Sequence, residues 1–274
     1  MTEKIVSYSE MSVYIECPQK HCWSYDRRIE PATLSIPLQL GNMVHQMMAA
    51  WYRTPSSVTS IEARNQVIAA FSKPTDEDSD EVYEEQATKQ ETMLRKAEQC
   101  LRLYVEQYRK DPLRSSVINV ESPVKFDLGY GITLLTIPDA VADIRGKLWC
   151  IEHKSGNPSG DFLALYDLQS ALNCLAVGAE GTIFNLFLTG GAKVSIERVI
   201  MERTLAEKQY ALSHAIAVAM KIVGDVKKVM HRSRNCLWCD YKSLCLSLIE
   251  GSDTEWLVQN SYRPRKSRQE IIND

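Results

Sequence analysis

Apolar residues in the first part of the chain recur at three- and four-residue intervals, the spacing of an amphipathic α-helix. Three segments have this pattern: residues 7–17, which begin with a possible serine cap and stop at a Cys-Pro dipeptide, residues 39–52, and residues 86–110. The acidic stretch 72–85 between the last two has little apolar content and is typical of a solvated loop that enters a helix. The pattern therefore predicts a helical N-terminal part.

The periodicity changes near residue 117. Residues 117–129, 130–144 and 147–155 are rich in β-branched and apolar residues and are separated by glycine-containing turns, which predicts three successive strands. Helical spacing returns over residues 161–177.

Two further strands, at residues 181–188 and 194–201, and a long helix at residues 205–230 precede a cysteine cluster. We expect an α/β (α+β) fold with a central mixed sheet flanked by helices.

At 274 residues the chain is long enough for one compact unit with a substantial core. We divide it into an N-terminal helical part (7–110), a catalytic sheet core (115–204), a helix with the cysteine cluster (205–250) and a tail (251–274).

Composition excludes several classes of protein. A hydrophobic share of 45% and a charged share of 24% argue against wholesale disorder or a fibrous architecture. The N-terminus lacks a signal-peptide pattern, and no apolar run approaches the ~20 residues of a membrane span. We expect a cytoplasmic protein without a membrane segment. The net charge of −3 means that any nucleic-acid surface must be a local basic patch.

Two predicted strands carry the candidate chemistry. Glu152 and Lys154 lie two residues apart, so they face the same side of a strand while His153 faces the other. Asp139 follows a proline at the end of the preceding strand. A pair of carboxylates on adjacent strands can hold Mg²⁺ or Mn²⁺, and a lysine beside them can position an attacking water.

These residues resemble the PD-(D/E)XK nuclease superfamily, with Pro138-Asp139 and Glu152-His153-Lys154 at the motif positions. Asp143 competes with Asp139 as the first carboxylate, and we prefer Asp139 because it follows the proline. The resemblance implies a metal-dependent DNA nuclease in which the backbone carbonyl of His153 also contacts the metal.

Two helices extend the resemblance to RecB-like nucleases. Gln169 matches a glutamine that orients the substrate or the catalytic lysine, and His45 matches an additional metal ligand. Asn173 stands where these relatives often carry a tyrosine that contacts DNA. We expect Tyr166, one turn before Gln169, to make that contact instead.

Near the C-terminus, Cys236, Cys239 and Cys245 have a spacing that lets three thiolates surround one inorganic centre. Disulfides are a poor explanation in the cytoplasm. The best fourth ligand is Cys17, because a Cys-Pro dipeptide at a helix end exposes the thiol, and Cys22 is the alternative. Spacing alone does not separate zinc from iron-sulfur.

A distant N-terminal cysteine with a C-terminal trio resembles the RecB-like and Cas4-like iron-sulfur exonucleases. This resemblance implies a structural 4Fe-4S cluster on Cys17, Cys236, Cys239 and Cys245. We assign the other cysteines, Cys100, Cys150 and Cys174, to the core.

Basic residues near the cluster, among them Arg232 and Arg234, are candidates for phosphate contacts. The predicted function is a DNA exonuclease that acts on single strands or duplex ends in recombination, repair or spacer-type processing, with protein partners of recombination or CRISPR type. The competing hypotheses are a non-catalytic subunit that binds DNA ends and a zinc-stabilised interaction protein.

Overall fold

The computed structural model describes residues 4–32, 36–71, 81–156, 163, 167–191, 193–225, 228–266 and 270. The chain divides into two compact units, and each is assembled from segments that are separated in sequence. The first unit contains residues 1–34, 123–136 and 209–274, and the second contains residues 35–122 and 137–208. The single-domain organisation expected from the sequence stays a prediction.

The first unit has two small sheets. Its strands are β1 Lys4–Ser7, β2 Ile29–Pro31, β4 Val124–Gly129, β5 Ile132–Thr136 and β10 Tyr262–Pro264. Its helical segments are α1 Tyr8–Glu16, α2 Pro18–His21, the π-helical turn Cys22–Asp26, most of α8 Leu205–Gly224, the 3₁₀ turn Arg234–Trp238, α9 Lys242–Glu250 and α10 Glu255–Ser261. One sheet has the order β1-β5-β4, and the other pairs β2 with β10.

The second unit contains a five-stranded sheet. Its strands are β3 Val117–Val120, β6 Ala140–Ile144, β7 Lys147–Gly156, β8 Gly181–Leu188 and β9 Ser195–Glu202, in the order β3-β6-β7-β8-β9. Its helices are α3 Ile36–Arg53, α4 Ser60–Phe71, α5 Glu81–Tyr108, α6 Leu113–Ser116 and α7 Leu168–Val177. The pairing of β7 with β8 is parallel and the other pairings are antiparallel, so the predicted mixed sheet flanked by helices is confirmed.

Burial explains why these segments form these elements. Strand β8 is buried along nearly its whole length, as expected of a strand with neighbours on both edges and a cover on both faces. Val44, Met47, Met48 and Trp51 form the buried stripe of α3 and pack in one core with α5 and the sheet. Within the described residues, no helix has the length and apolar character needed to cross a membrane.

The strands predicted at residues 117–129 and 130–144 each divide in two. Glu121 takes a left-handed backbone conformation and Pro123 lacks an amide donor, so the first run breaks between β3 and β4. Pro138 ends the second run between β5 and β6. As a result β4 and β5 belong to the three-stranded sheet with β1, and the expected catalytic sheet core over residues 115–204 was wrong in including them.

Two predicted boundaries near the C-terminus were also wrong. The helix expected to reach residue 230 ends at Gly224, and residues 228–232 are not helical. The expected tail contains α10 and β10, and Arg263 of β10 donates to Glu30 at 2.9 Å. Of the acidic loop predicted over residues 72–85, residues 81–85 belong to helix α5, and residues 72–80 lie outside the described residues, as does the start of the helix predicted at residue 161.

Candidate active site

Strand β7 places Glu152 and Lys154 on one side of the five-stranded sheet. The register Ala140 to Ile151 puts Asp139, immediately before β6, across from Glu152. The backbone N–H of His153 donates to Asp139 Oδ2 at 2.6 Å, so the aspartate is attached to the strand that carries Glu152. The structure therefore brings Asp139, Glu152 and Lys154 together.

Asp143, the alternative first carboxylate, lies at the opposite end of the β6–β7 hairpin. It is exposed, and its Oδ1 accepts the backbone N–H of Gly146 at 2.8 Å. Arg145 and Gly146 both have positive φ angles, as a two-residue hairpin turn requires. Asp143 therefore stabilises a turn and is not beside Glu152.

Helix α3 brings His45 to Asp139. The ring Nδ1 lies 3.0 Å from Asp139 Oδ1. One turn earlier, an added Cβ on Gly41 would lie 3.4 Å from Ser155 Oγ, so glycine allows the helix to lie close to β7. The spacing of Gly41 and His45 in the sequence thus marks a close approach of helix and strand.

Helix α7 contacts the site with two residues one turn apart. Gln169 Oε1 accepts from Lys154 Nζ at 3.2 Å, and Asn173 Nδ2 donates to Glu152 Oε1 at 2.5 Å. Asp167 caps this helix by accepting the backbone N–H groups of Gln169 and Ser170. The sequence placed Gln169 correctly beside the lysine, but the contact of Asn173 was missed, although its i+4 spacing from Gln169 puts both on one face.

His153 faces away from Glu152 and Lys154, as strand alternation predicts. Its ring is buried and stacks on Tyr52, with ring centroids 5.7 Å apart, and its Nδ1 lies 3.4 Å from Asn185 Nδ2. Burial lowers the pKa of His153 to about 3, so the imidazole is neutral near pH 7. Its side chain is a packing group, and its backbone is what reaches the site.

The pKa values of the two carboxyl groups, Glu152 and Asp139, are shifted in opposite directions. Burial, and next the Asp139 carboxylate, raise the pKa of Glu152 to about 8, against the opposing charge of Lys154. For Asp139, burial is outweighed by His45, which holds the pKa of that carboxyl below its ordinary value. Without a cation, Asp139 is therefore ionised at neutral pH while Glu152 largely keeps its proton.

The two basic groups respond in the complementary direction. Burial would lower the pKa of His45 and of Lys154, but the adjacent carboxylates outweigh burial in both cases and raise these pKa values. Lys154 Nζ lies 3.6 Å from Glu152 Oε2. The site is thus a compact cluster of two acids, Asp139 and Glu152, and two bases, His45 and Lys154, in which the carboxylates stabilise positive charge.

The donor types in this cluster fit a divalent cation. Two carboxylates suit Mg²⁺ or Mn²⁺, and the imidazole of His45 suits Mn²⁺. Among the described residues, no three His, Cys, Asp or Glu side chains already surround one point at metal-ligand spacing. In this structure, His45 Nδ1 is hydrogen-bonded to Asp139.

The cysteine cluster is built in the first unit. Cys17, Cys236, Cys239 and Cys245 all line one cavity of about 340 Å³. The backbone N–H of His231 points at Cys17 Sγ over 3.4 Å, and Cys239 and Cys245 pack against the apolar cluster that contains Trp23. Burial, and then the nearby sulfurs, raise the pKa of Cys245, so an electropositive centre would favour its thiolate.

The remaining cysteines are outside that cavity. Cys22 is half-buried and does not line it. Cys100, Cys150 and Cys174 are buried in the second unit, in agreement with their assignment to the core.

Arg232 also lines the cysteine cavity, and both Arg232 and Arg234 are exposed. Tyr166 lies outside the described residues.

The chain matches the family model of the PD-(D/E)XK nuclease superfamily over residues 5–246, and it belongs to that superfamily. A comparison with curated proteins found no match.

Among solved structures, a candidate exonuclease from Eubacterium rectale is similar, with 14% identity, coverage of 85% of this chain and 87% of the other, and a TM-score of 0.53. The structure titled SSO0001 has 12% identity, coverage of 89% and 87%, and a TM-score of 0.40. The first of these supports the fold.

We predict that Glu152→Gln stabilises the protein in EDTA at alkaline pH. Between pH ~4.5 and pH 8, folded wild-type protein keeps a proton on Glu152 that the unfolded chain has released, so its stability falls as the pH rises. The glutamine variant lacks this loss and should be more stable by roughly 2–5 kcal/mol at pH 8, with a smaller difference at pH 5.

Urea denaturation at both pH values measures this difference. The matched control is Glu202→Gln at the exposed end of β9, which should show no such pH dependence. Equal stabilities of wild type and Glu152→Gln at pH 8 would contradict the assigned environment of Glu152.

Proposed function

We propose that this chain is a metal-dependent DNA exonuclease that hydrolyses phosphodiester bonds at single-stranded DNA or duplex ends. The observation that carries the proposal is that the partly buried carboxylate of Asp139, just before β6, meets the buried carboxylate of Glu152 on β7 beside the ammonium of Lys154. Membership of the nuclease superfamily supports nuclease activity. The name of the Eubacterium rectale neighbour supports an exonuclease.

Asp139, Glu152 and His45 would hold Mg²⁺ or Mn²⁺, together with the backbone carbonyl of His153. When bound, such an ion polarises the phosphodiester and lowers the pKa of a water molecule. Asn173 donates to one oxygen of Glu152, which fixes the carboxylate and leaves the other oxygen for ligation.

Lys154 is the group proposed to act on the reacting atoms. Its ammonium can donate to the attacking water or to a phosphate oxygen, where negative charge develops. Gln169 accepts a hydrogen bond from the same ammonium and thereby restricts its direction. We assign Gln169 a positioning role, since it acts through Lys154.

We also propose that Cys17, Cys236, Cys239 and Cys245 bind a 4Fe-4S cluster. The support is that all four thiols line one cavity, whose volume of about 340 Å³ suits a group larger than a single ion, and that the backbone N–H of His231 points at the sulfur of Cys17. The cluster would link Cys17 to a segment more than two hundred residues later and so restrict the unfolded chain. Its role is structural.

Arg232 and Arg234 are proposed to neutralise DNA phosphates near the cluster, and Tyr166 to contact the strand. The biological setting we propose is recombination, repair or spacer-type end processing with protein partners of recombination or CRISPR type.

Cleavage should depend on the two strand residues. On end-labelled single- and double-stranded DNA with Mn²⁺, Glu152→Ala and Lys154→Ala should each lower the cleavage rate by about 10²-fold or more, because the first removes a metal ligand and the second a donor to developing charge. Lys147→Ala is the matched control, since Lys147 lies on the same strand and is exposed, paired with Glu180.

Variants of Glu152 and Lys154 that cut as fast as wild type would refute the site assignment. A wild-type protein that binds DNA ends tightly but does not cut them with Mn²⁺ would support the non-catalytic subunit instead.

Metal content distinguishes the cluster from zinc. Anaerobically purified protein should be brown and contain about four iron atoms per chain, and Cys17→Ala should lose most of the iron and the colour. Cys22→Ala should keep both, because Cys22 does not line the cavity. Elemental analysis that finds zinc in a colourless protein would reject the cluster, and iron loss in the Cys22 variant would reject Cys17 as the fourth ligand.

A further inference from the structure

A second cavity, of about 320 Å³, opens in the second unit at the C-terminal end of α5. Its walls come from the loop before α4, the end of α5 and the start of α6. Hydroxyl side chains are frequent on the loop wall. Ser56, Ser57 and Ser60 line the cavity, as does Thr59, whose hydroxyl already donates to Glu62 at 2.6 Å. The cavity therefore presents several short polar donors on one side.

Two guanidinium groups also line the cavity. Arg109, one residue beyond the end of α5, is exposed, and Arg114 belongs to α6. The carboxylate in the lining, Asp111, already has partners: Oδ1 accepts the backbone N–H of Leu113 at 2.9 Å, and Oδ2 forms an ion pair with Arg198. With that negative charge compensated, the lining has an excess of positive charge.

Arg114 is held in a fixed position. Its guanidinium carbon lies 3.9 Å from the centre of the Trp51 ring, and Nη2 donates to the carbonyls of Thr54 and Pro55 at 2.9 and 3.1 Å. Its Nε–H is buried and has no partner in the described part of the chain. The ring contact and the two carbonyl acceptors therefore fix the guanidinium at the cavity before a ligand binds.

The wall beside Asp111 is also preformed. Arg198 donates to the hydroxyl of Tyr104 at 2.8 Å and to Asn185 Oδ1 at 2.9 Å, and Tyr104 itself lines the cavity. This network ties the Asp111 wall of the cavity to β8 and β9 and so fixes the shape of that wall. A preformed set of donors binds with a smaller entropic cost than a flexible one.

We infer that this cavity binds a phosphate group, from a nucleic-acid strand or from a free nucleotide, at a site separate from Asp139, Glu152 and Lys154. Guanidinium and hydroxyl donors are the groups that proteins use for phosphate oxygens, and the lining lacks an uncompensated carboxylate on the Asp111 wall. The inference rests on the proposed function, because a DNA nuclease encounters phosphate in two forms: the strand that it holds and the nucleotide that it releases.

The test measures binding of a fluorescent single-stranded oligonucleotide to the full chain in EDTA at several salt concentrations. Arg109→Gln should weaken binding about 3- to 10-fold and reduce the slope of log K against log salt by about 0.7, the value for one lost phosphate contact on a single strand. Lys110→Gln removes a neighbouring exposed charge that does not line the cavity, and should leave the slope unchanged.

A second variant distinguishes binding in the cavity from attraction to exposed positive charge. Ser56→Ala combined with Ser57→Ala removes donors but no charge, and should weaken phosphate binding with the salt slope kept. A deoxynucleoside monophosphate, titrated by calorimetry, identifies the source. If Arg109→Gln weakens its binding while oligonucleotide binding is unchanged, the site takes free nucleotide.

If Arg109→Gln behaves like Lys110→Gln with both probes, the phosphate site is refuted. Cleavage by Glu152→Ala decides the proposed function independently, because binding at the cavity is measured in EDTA. A changed slope with no cleavage by wild type would leave the phosphate site standing and remove the nuclease.

Discussion

The structure depends on the cost of placing two carboxylates next to each other with little access to water. Asp139, just before β6, is partly buried and Glu152 on β7 is only 2% exposed, so their repulsion is poorly screened by water. The surrounding elements supply compensation one group at a time: the His153 amide and His45 to Asp139, and Lys154 and Asn173 to Glu152. A divalent cation would satisfy both carboxylates at once, which is why we regard the pair as the metal site.

That constraint explains the arrangement of the second unit. The β6–β7 hairpin must end so that Asp139 meets Glu152, and the helix α3 must come close enough to β7 for His45 to reach Asp139, which Gly41 permits. The α7 helix then completes the other side with Gln169 and Asn173. The cluster that we propose on the cysteines of the first unit would have a structural role.

Local signals made much of this predictable. Strand alternation separated Glu152 and Lys154 from His153, and helical spacing located α3 and its histidine. The pairings between distant strands were not predicted: nothing in the alternation of residues 117–144 indicates that β5 pairs with β1 and β4, and not with β6. The role of Asn173 was not predicted because its hydrogen-bond partner, Glu152, is 21 residues away in sequence. The family pattern has a tyrosine at this position, so it gave no role to an asparagine.

The most direct test of the metal site is anomalous diffraction from crystals of the protein soaked in Mn²⁺. We predict a strong manganese peak within bonding distance of carboxylate oxygens of both Asp139 and Glu152, and its disappearance in crystals of Glu152→Ala. A protein that cleaves DNA with Mn²⁺ but has its manganese elsewhere, with Asp139 and Glu152 unligated, would contradict the account.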